Sequence, residues 1–584
     1  ASVTLSDKER AMAATDLDLD VLIAGAGPTG LMLANEMARR SSTSAIRYQV
    51  VDAAPGPSTH TKAMAVQVRT LEVYDDLGLV DKALEEGFKM NKFSVYGGEG
   101  KQLSAELGAL NGLSPYPTML VYPQFQNEAL LLESIRQNHW DTAKGGRRRA
   151  RGRGGKGSQQ DAPITYHTKL VGFEKKADHV EARLQDTETM QTRVVRTKFL
   201  VGCDGAHSAV RHGLNLGFGG KKYPQEFVLL DCELEKEEPC DFLKPGEAFA
   251  SMEHAMFVIF PYKDGSYRLI MSRAADKEGA EPTLDEVQAS CDLLPFKLQI
   301  KAPRWLTQFS LHARSVDQYS DSDHRVFVAG DAAHIHSPVG GQGMNTGLQD
   351  SYNLGWKLAM VINGTAGPKA SAMLLSSYND ERHRVGKKLL ERTDNGFSVV
   401  TARGWTFRIM RSLIFSFLGK RLLIPMFMTA VPKWVSQIFI TYRRSKISVG
   451  HLPRATFKAG DRLPFVKLTK GGEELSTFDI LRGPHFTLLF VARSEEDLQD
   501  VPAALESSEP LQGEGLTCAV LAVDGFDGSS SAPDTVQVYS VADAPAFAKT
   551  FGILSGTILV RPDNYVGFMG NAKDLGSYVK MLTN

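Results

Sequence analysis

The sequence predicts an α/β protein. A discontinuous, Rossmann-like dinucleotide-binding domain frames an antiparallel-sheet domain, and strands alternate with helices again toward the C-terminus. Three observations carry this prediction. An apolar, β-prone run, Asp20–Ala24, leads straight into Gly25-Ala26-Gly27-Pro28-Thr29-Gly30. Two further strand-and-turn segments, Cys203-Asp204-Gly205-Ala206-His207-Ser208 and Gly330-Asp331-Ala332-Ala333-His334, follow at intervals of roughly 120 to 180 residues. Between the second and third, the pattern changes to consecutive strands separated by turns.

Taken in order, Asp20-Val21-Leu22-Ile23-Ala24 reads as a buried parallel strand. Gly25 allows the tight turn, Gly27 lets the backbone approach a pyrophosphate, and Gly30 lets the following helix, Leu31–Ala38, pack close to the strand. The start of that helix offers N–H groups and partial positive charge to phosphates. A second strand, Tyr48–Val51, ends in Asp52, 22 residues after Gly30, the spacing of an acid that accepts from ribose hydroxyls. Phe199–Arg211 is another strand-turn-helix, with Asp204 and Arg211 organising its turn. Arg325–Asp331 is a strand that delivers Asp331 to its C-terminal end, where ligands of open α/β sheets sit. The side-chain-poor run Pro338–Thr346, with Gly341, Gly343, Met344 and Asn345, feeds an amphipathic helix expected from about Gly347 to Val361. Backbone N–H groups there suit an anionic ring edge.

Elsewhere, Phe227–Leu234, Ala255–Pro261 and Tyr267–Ser272 read as strands of an antiparallel sheet, a roof over the bound cofactor. After Ser448, strands Phe486–Val491, Cys518–Val523 and Gly556–Val560 mark a further domain, the last followed by Arg561-Pro562-Asp563. The expected division is a dinucleotide-binding domain at 18–90, 118–220 and 315–400, and a substrate domain at 91–117 and 221–314. A helical connection at 401–450 and a C-terminal domain at 451–584 complete it.

At 584 residues the chain exceeds one ordinary core. Its 67 basic and 67 acidic residues balance, which gives no global pull toward nucleic acid or membrane. Five cysteines without a Cys-x-x-Cys pair point to a reducing, cytoplasmic setting and to no metal site or disulfide framework. The N-terminal twenty residues lack the apolar core of a signal peptide. Trp405–Tyr442 has apolar runs, broken by Arg408, Arg411, Lys420, Arg421, Pro425, Pro432 and Lys433, too short for an integral membrane segment. Lys144–Gly157 carries seven positive charges and no large apolar side chain, and is expected to be a solvated surface insertion.

The three segments together, with Arg69-Thr70-Leu71-Glu72 behind Lys62-Ala63 and with Pro123-Gln124 followed by Glu128, resemble the FAD-dependent aromatic hydroxylases. These are the class A, single-component flavoprotein monooxygenases of the para-hydroxybenzoate and phenol hydroxylase type. The resemblance runs from about Asp20 to the C-terminus. It implies FAD, with Asp331 on the ribityl chain and Gln124 and Lys62 as flavin contacts. Lys62 stands where many relatives have arginine, keeping the charge but losing the planar fork. Asp204 falls in a fingerprint shared between FAD and nicotinamide handling. The C-terminal alternation resembles the thioredoxin-like domain of the phenol hydroxylase branch; lacking Cys-x-x-Cys, it is left a structural or dimerising role.

The implied activity is hydroxylation of a small phenolic or related aromatic substrate through a flavin C4a-hydroperoxide. NADPH or NADH supplies hydride, O2 the oxygen, and a homodimer is the implied assembly. Only one dinucleotide fingerprint is present, so the nicotinamide is expected to bind transiently. Candidates to meet and activate the phenol are His254, Tyr262 and Tyr267 on the roof and His336 beside the glycine-rich loop, while His334 belongs to its turn. The alternatives are a Baeyer–Villiger or epoxidising enzyme of the same architecture and a non-enzymatic FAD-fold binding protein. A halogenase is disfavoured because Trp-x-Trp-x-x-Pro is missing among the five tryptophans.

Overall fold

The computed structural model describes residues 17–41, 45–59, 63–97, 101–143, 163–236, 246–251, 256–273, 279–294, 296–336, 340–401 and 430–584. Lys62, His254, most of Trp405–Tyr442 and the whole Lys144–Gly157 insertion lie outside these residues.

The nucleotide-type sheet is built on Leu19–Ala24, which lies parallel between Tyr48–Val51 and the end of Thr192–Gly202. Val326–Val328 pairs parallel with that same end, Leu200 opposite Val326. The register aligns four strand ends: Ala24 faces both Val51 and Gly202, and Gly202 faces Val328. The next residues of each strand, Gly25, Asp52, Cys203 and Ala329-Gly330, therefore emerge along one edge. Helix Pro28–Arg40 covers the sheet with Leu31, Met32, Leu33 and Met37 fully buried.

The roof is an eight-stranded sheet in the order His334–Ile335, Leu298–Val316, Phe218–Lys236, Tyr267–Ser272, Phe257–Pro261, Glu247–Ser251, Lys92–Gly97, Lys101–Glu106. Its pairs are antiparallel except Glu247–Ser251 with Lys92–Gly97. Strand alternation gives it two faces. Val228, Leu230, Leu269 and Met271 pack with Val287 and Cys291 of helix Leu284–Cys291. Phe227, Ile270 and Phe309 occupy the other face, continuous with a patch of Met64, Met119, Ala248 and Phe260. Short strands such as Glu247–Ser251, three of whose five residues are small, had no sequence signal strong enough to be read.

The C-terminal sheet has seven strands, in the order Glu473–Ser476, Lys467–Lys470, Gln537–Val541, Leu516–Ala522, Phe486–Ala492, Gly556–Val560, Val566–Gly570. Three central strands are parallel, and Gly556–Val560 and Val566–Gly570 run antiparallel at one edge. This sheet does not close its core alone. Trp356, Met360 and Leu374, from helices Gly343–Ile362 and Pro368–Tyr378, share a cluster with Phe486, Leu488 and Leu559, and Trp356 meets Phe486 edge-on at 5.9 Å.

Helix Gly343–Ile362 departs from expectation in two ways. It begins at Gly343, about four residues early, and it is not amphipathic: every residue from Asn345 to Met360 is buried. Its polar residues meet buried partners rather than water. No described helix is long and apolar enough to cross a membrane.

Candidate functional site

The first glycine-rich turn is shaped by close contacts. Gly25 has φ +106°, and a Cβ there would stand 2.3 Å from the Cys203 carbonyl oxygen. A Cβ on Gly30 would lie 1.9 Å from the Gly25 carbonyl oxygen, so the helix can touch the turn only because Gly30 has no side chain. Gly27 differs: a Cβ there would meet nothing within 4 Å. Helix Pro28–Arg40 has no side-chain cap, and Leu31 N–H is the donor that bonds back to Gly27 O, at 3.0 Å. The earlier amides point out over the strand ends. Asp52 braces the turn, accepting from Ala26 N–H at 2.6 Å and Ala54 N–H at 2.8 Å. Each of its oxygens keeps a further lone pair.

The middle and third segments lock onto this turn. Asp204 accepts from Ala209 N–H (2.7 Å) and Val210 N–H (3.3 Å), and Ser208 Oγ accepts from Arg211 N–H (3.0 Å). Burial pushes the Asp204 carboxyl above its ordinary range. Its side chain organises the helix start Ala209–Gly213. Arg211 donates to Ala206 O at 2.8 Å and to Ala332 O at 3.1 Å, joining the middle turn to the one that carries Asp331. Gly330 (φ +60°) and Gly347 both abut Thr29, since a Cβ on either would come 2.5 Å from Thr29 Oγ1. Asp331 is exposed at this junction and has no protein hydrogen bond among the described residues.

Beyond it lies the start of helix Gly343–Ile362. Gly341 has φ +61° and sits so close to Ala65 that a Cβ would reach its methyl at 2.6 Å. Asn345 pins the loop: its side chain accepts from Gln67 N–H (2.8 Å) and donates to Ala65 O (2.8 Å) and Gly341 O (2.7 Å). Both N–H groups of that side chain are taken by protein, so the donor Asn345 offers a ligand is its backbone. Thr346 N–H makes the bond to Gln342 O at 2.9 Å, and the amides of Gly343, Met344 and Asn345 precede it. Gln124, at the start of helix Gln124–Ala143, donates to Glu128 at 2.9 Å, and burial raises the Glu128 carboxyl.

The substrate-contact candidates separate. Tyr262 packs with the Phe260, Ile270 and Ala65 patch, on the face of the roof that meets the Gly341 loop. Tyr267 does not. It shares the opposite face with Leu269 and Met271, against helix Leu284–Cys291, because side chains alternate along Tyr267–Ser272. A role for Tyr267 at the loop is therefore withdrawn. His336 has both ring nitrogens buried with no hydrogen-bond partner among the described residues, and it stacks on His334 at 4.6 Å. Burial, with the neighbouring His334, holds its pKa well below the ordinary value. A buried imidazole with unmet donors and acceptors is costly unless a ligand completes it.

Two residues at the site escaped the sequence reading. Asp350 accepts from His334 Nε2 (2.7 Å), Gly330 N–H (3.0 Å) and Arg382 Nε (2.7 Å). Arg382 also donates to Thr346 O at 3.1 Å. The available signal was the polar stripe Asp350, Asn353, Lys357 at i, i+3, i+7 in a helix of otherwise buried residues. A cavity of about 440 Å³ is lined by Phe125 and Gln126 and by Tyr262, Arg268 and Trp305 of the roof.

The family described as FAD binding domain matches residues 18–393. A flavin-dependent monooxygenase of Mycobacteroides abscessus is 29% identical, over 87% of this chain and 96% of its own. The rifampicin monooxygenase of Streptomyces venezuelae is 33% identical over 64% of this chain and 70% of its own. Among solved structures, the anhydrotetracycline hydroxylase from Streptomyces rimosus superposes with a TM-score of 0.69, at 25% identity, over 97% of this chain and 99% of that one.

Proposed function

We propose, from the premise that this chain belongs to the FAD binding domain family and is a flavin-dependent monooxygenase acting on an aromatic substrate, that it hydroxylates a phenolic ring. NADPH or NADH is the hydride source and O2 the oxygen donor. The observation that carries the reading is the convergence of three distant segments on one edge, where close contacts forbid side chains at Gly25, Gly30, Gly330 and Gly341 while Gly27 faces open space. That pattern fits FAD. The amides at the start of helix Pro28–Arg40 would hold the pyrophosphate. Asp52 would take the ribose, Asp331 the ribityl hydroxyls, and the amides of Gly343–Asn345 the electron-rich edge of the ring. Gln124 and Lys62 would border the flavin, and Asp204 supports the site through its turn.

When bound, FAD supplies hydride acceptance from the nicotinamide and activation of O2. The chain's own residues hold the ring edge, exclude water and position the phenol. Ile270 and Phe309, partly exposed over the buried Phe227, would present an apolar wall to an aromatic ring. Tyr262 and His336 are the polar candidates for the phenol, and His336, held neutral by its surroundings, can accept a hydrogen bond from the phenolic hydroxyl. With a single dinucleotide fingerprint, the nicotinamide docks transiently. The C-terminal sheet is read as thioredoxin-like, the chain as a homodimer without affinity for nucleic acid.

The test is the purified protein itself. It should be yellow, release one FAD per chain on denaturation, and consume NAD(P)H slowly alone. With an accepted phenol, flavin reduction should quicken at least about tenfold, ~1.4 kcal/mol in barrier, with hydroxylated product formed. Equal reduction rates with and without a turned-over substrate would favour an enzyme whose reduced flavin waits for its substrate, the Baeyer–Villiger alternative.

A further inference from the structure

Helix Gly343–Ile362 is tied to the C-terminal sheet by a buried ionic network that hydroxylation does not itself require. Arg561, in the turn after strand Gly556–Val560, is 1% exposed. Its two terminal nitrogens donate to the two oxygens of Glu381 at 2.7 and 3.0 Å, and Asp563 accepts from the same guanidinium. Glu381 also accepts from Lys357 (2.8 Å) and Asn353 (2.7 Å), both on the helix. Glu381 and Arg382 are consecutive in a π-helical turn, Asn379–His383. Arg382 faces the other way. It donates to Asp350 (2.7 Å), to the Thr346 carbonyl in the first turn of the helix (3.1 Å), and to the Tyr442 hydroxyl (2.9 Å). Asp350 in turn holds the Gly330 amide at 3.0 Å, one residue before Asp331.

We propose that Arg561 and Glu381 are positioning residues for the flavin cradle: through the π-turn, the C-terminal sheet sets where the Gly343–Asn345 amides and Asp331 stand. π-turns recur at functional sites. This one places two adjacent side chains in opposite networks, so neither can shift alone. Fully satisfied buried networks rigidify, whereas a half-satisfied one is costly. The inference rests on reading Gly341–Asn345 and Asp331 as FAD contacts. It gives the C-terminal sheet a role in cofactor geometry beyond structure or dimerisation.

The experiment compares Arg561→Met with Leu582→Ala in the full-length protein. Leu582 is fully buried in the core shared with the C-terminal sheet and touches none of the network. Each variant is stripped of flavin, its melting temperature measured, and FAD titrated back while the visible circular dichroism of the bound flavin is recorded. Arg561→Met should weaken FAD binding at least about tenfold and change the flavin dichroism, while Leu582→Ala lowers the melting temperature but leaves both readouts near wild type. Parallel losses in the two variants would make Arg561 merely structural, and so would a folded Arg561→Met with wild-type affinity and dichroism. Should Arg561→Met fail to fold, Tyr442→Phe removes one acceptor of Arg382 at small packing cost. It should alter the dichroism and weaken FAD a few-fold, and no change in either would overturn the proposal. If the wild-type apoprotein takes up no FAD, it is the functional reading that fails instead.

Discussion

The two ends of helix Gly343–Ile362 are built on opposite rules. At its start the helix has no side-chain cap, the approach is glycine, and the neighbouring Asp331 and His336 have no protein partner among the described residues. Three to four turns further on, Asn353 and Lys357 are fully engaged: Lys357 bonds Asn353 Oδ1 at 2.9 Å and Glu381 at 2.8 Å, and burial lowers its pKa to about 8. A buried polar group left unmet, as in His336, costs free energy and persists where a ligand completes it, while an exposed carboxylate such as Asp331 is satisfied by water and free to bind. Polar groups that are saturated hold the scaffold. The difference separates binding residues from positioning residues, and substitutions on the two sides should behave differently.

The largest effect is expected at Gly30. A Cβ 1.9 Å from a backbone oxygen cannot be absorbed by a side-chain shift, so Gly30→Ala should cost about 3 kcal/mol or more and abolish FAD retention. Thermal melting of the apoprotein and FAD content after purification check it. A yellow protein of normal stability would mean that the first turn is misplaced.

Asp331→Ala comes next and should act on affinity alone. With no protein partner to lose, the apoprotein should melt as wild type, while FAD binding weakens by about 1.5–3 kcal/mol, roughly 10-fold to 150-fold. Asp204→Ala should show the reverse. It strips the Ala209 and Val210 amides of their acceptor and should cost about 0.5–2 kcal/mol of stability with a smaller change in FAD affinity. Identical behaviour of the two variants would erase the distinction between a carboxylate without protein donors and one that holds a turn together. Gly27→Ala is milder. Open space surrounds the new methyl in the apoprotein, so only the holoprotein should suffer, at about 1.4 kcal/mol or tenfold in FAD affinity.

The open side was far more legible in sequence than the saturated side, for a physical reason. Gly25, Gly30 and Asp52 are local: strand, turn, helix and acid follow within one supersecondary unit, and the residue types state the geometry. The parallel strands Leu19–Ala24 and Tyr48–Val51 and the roof strands around Phe227 and Tyr267 announced themselves by short, mostly apolar, β-prone runs. Asp350, Arg382 and Arg561 did not. They are charged residues whose burial depends on partners as much as 180 positions away, and pairwise charge compensation leaves no periodic trace. The same blindness made helix Gly343–Ile362 look amphipathic, because polar residues satisfied by buried partners are indistinguishable from residues satisfied by water. Tyr267 was lost to parity: one position along the strand separates the face toward the loop from the face toward helix Leu284–Cys291.

The smallest effect is expected at His336, and its sign is the informative part. With its pKa held well below the usual histidine value, folded His336 stays neutral while the unfolded chain takes up a proton below about pH 6.5. The unfolded state then binds more protons, so the stability of the apoprotein should fall as pH drops, by up to about 1.4 kcal/mol per pH unit for this one group. Above that range both states are neutral and the contribution is flat. His336→Phe keeps a ring to stack on His334 and removes both unmet nitrogens. Urea unfolding of the two apoproteins should therefore give a shallower acid slope for the variant, by about one proton, and equal or greater stability at neutral pH. Its KM for the phenol should rise, since the group that completes the site has gone. A gain in apoprotein stability paired with a loss in substrate binding is the mark of the open side of the molecule. Equal slopes in both proteins would show that His336 reaches solvent and titrates ordinarily, and its assignment as a group waiting for a ligand would be wrong.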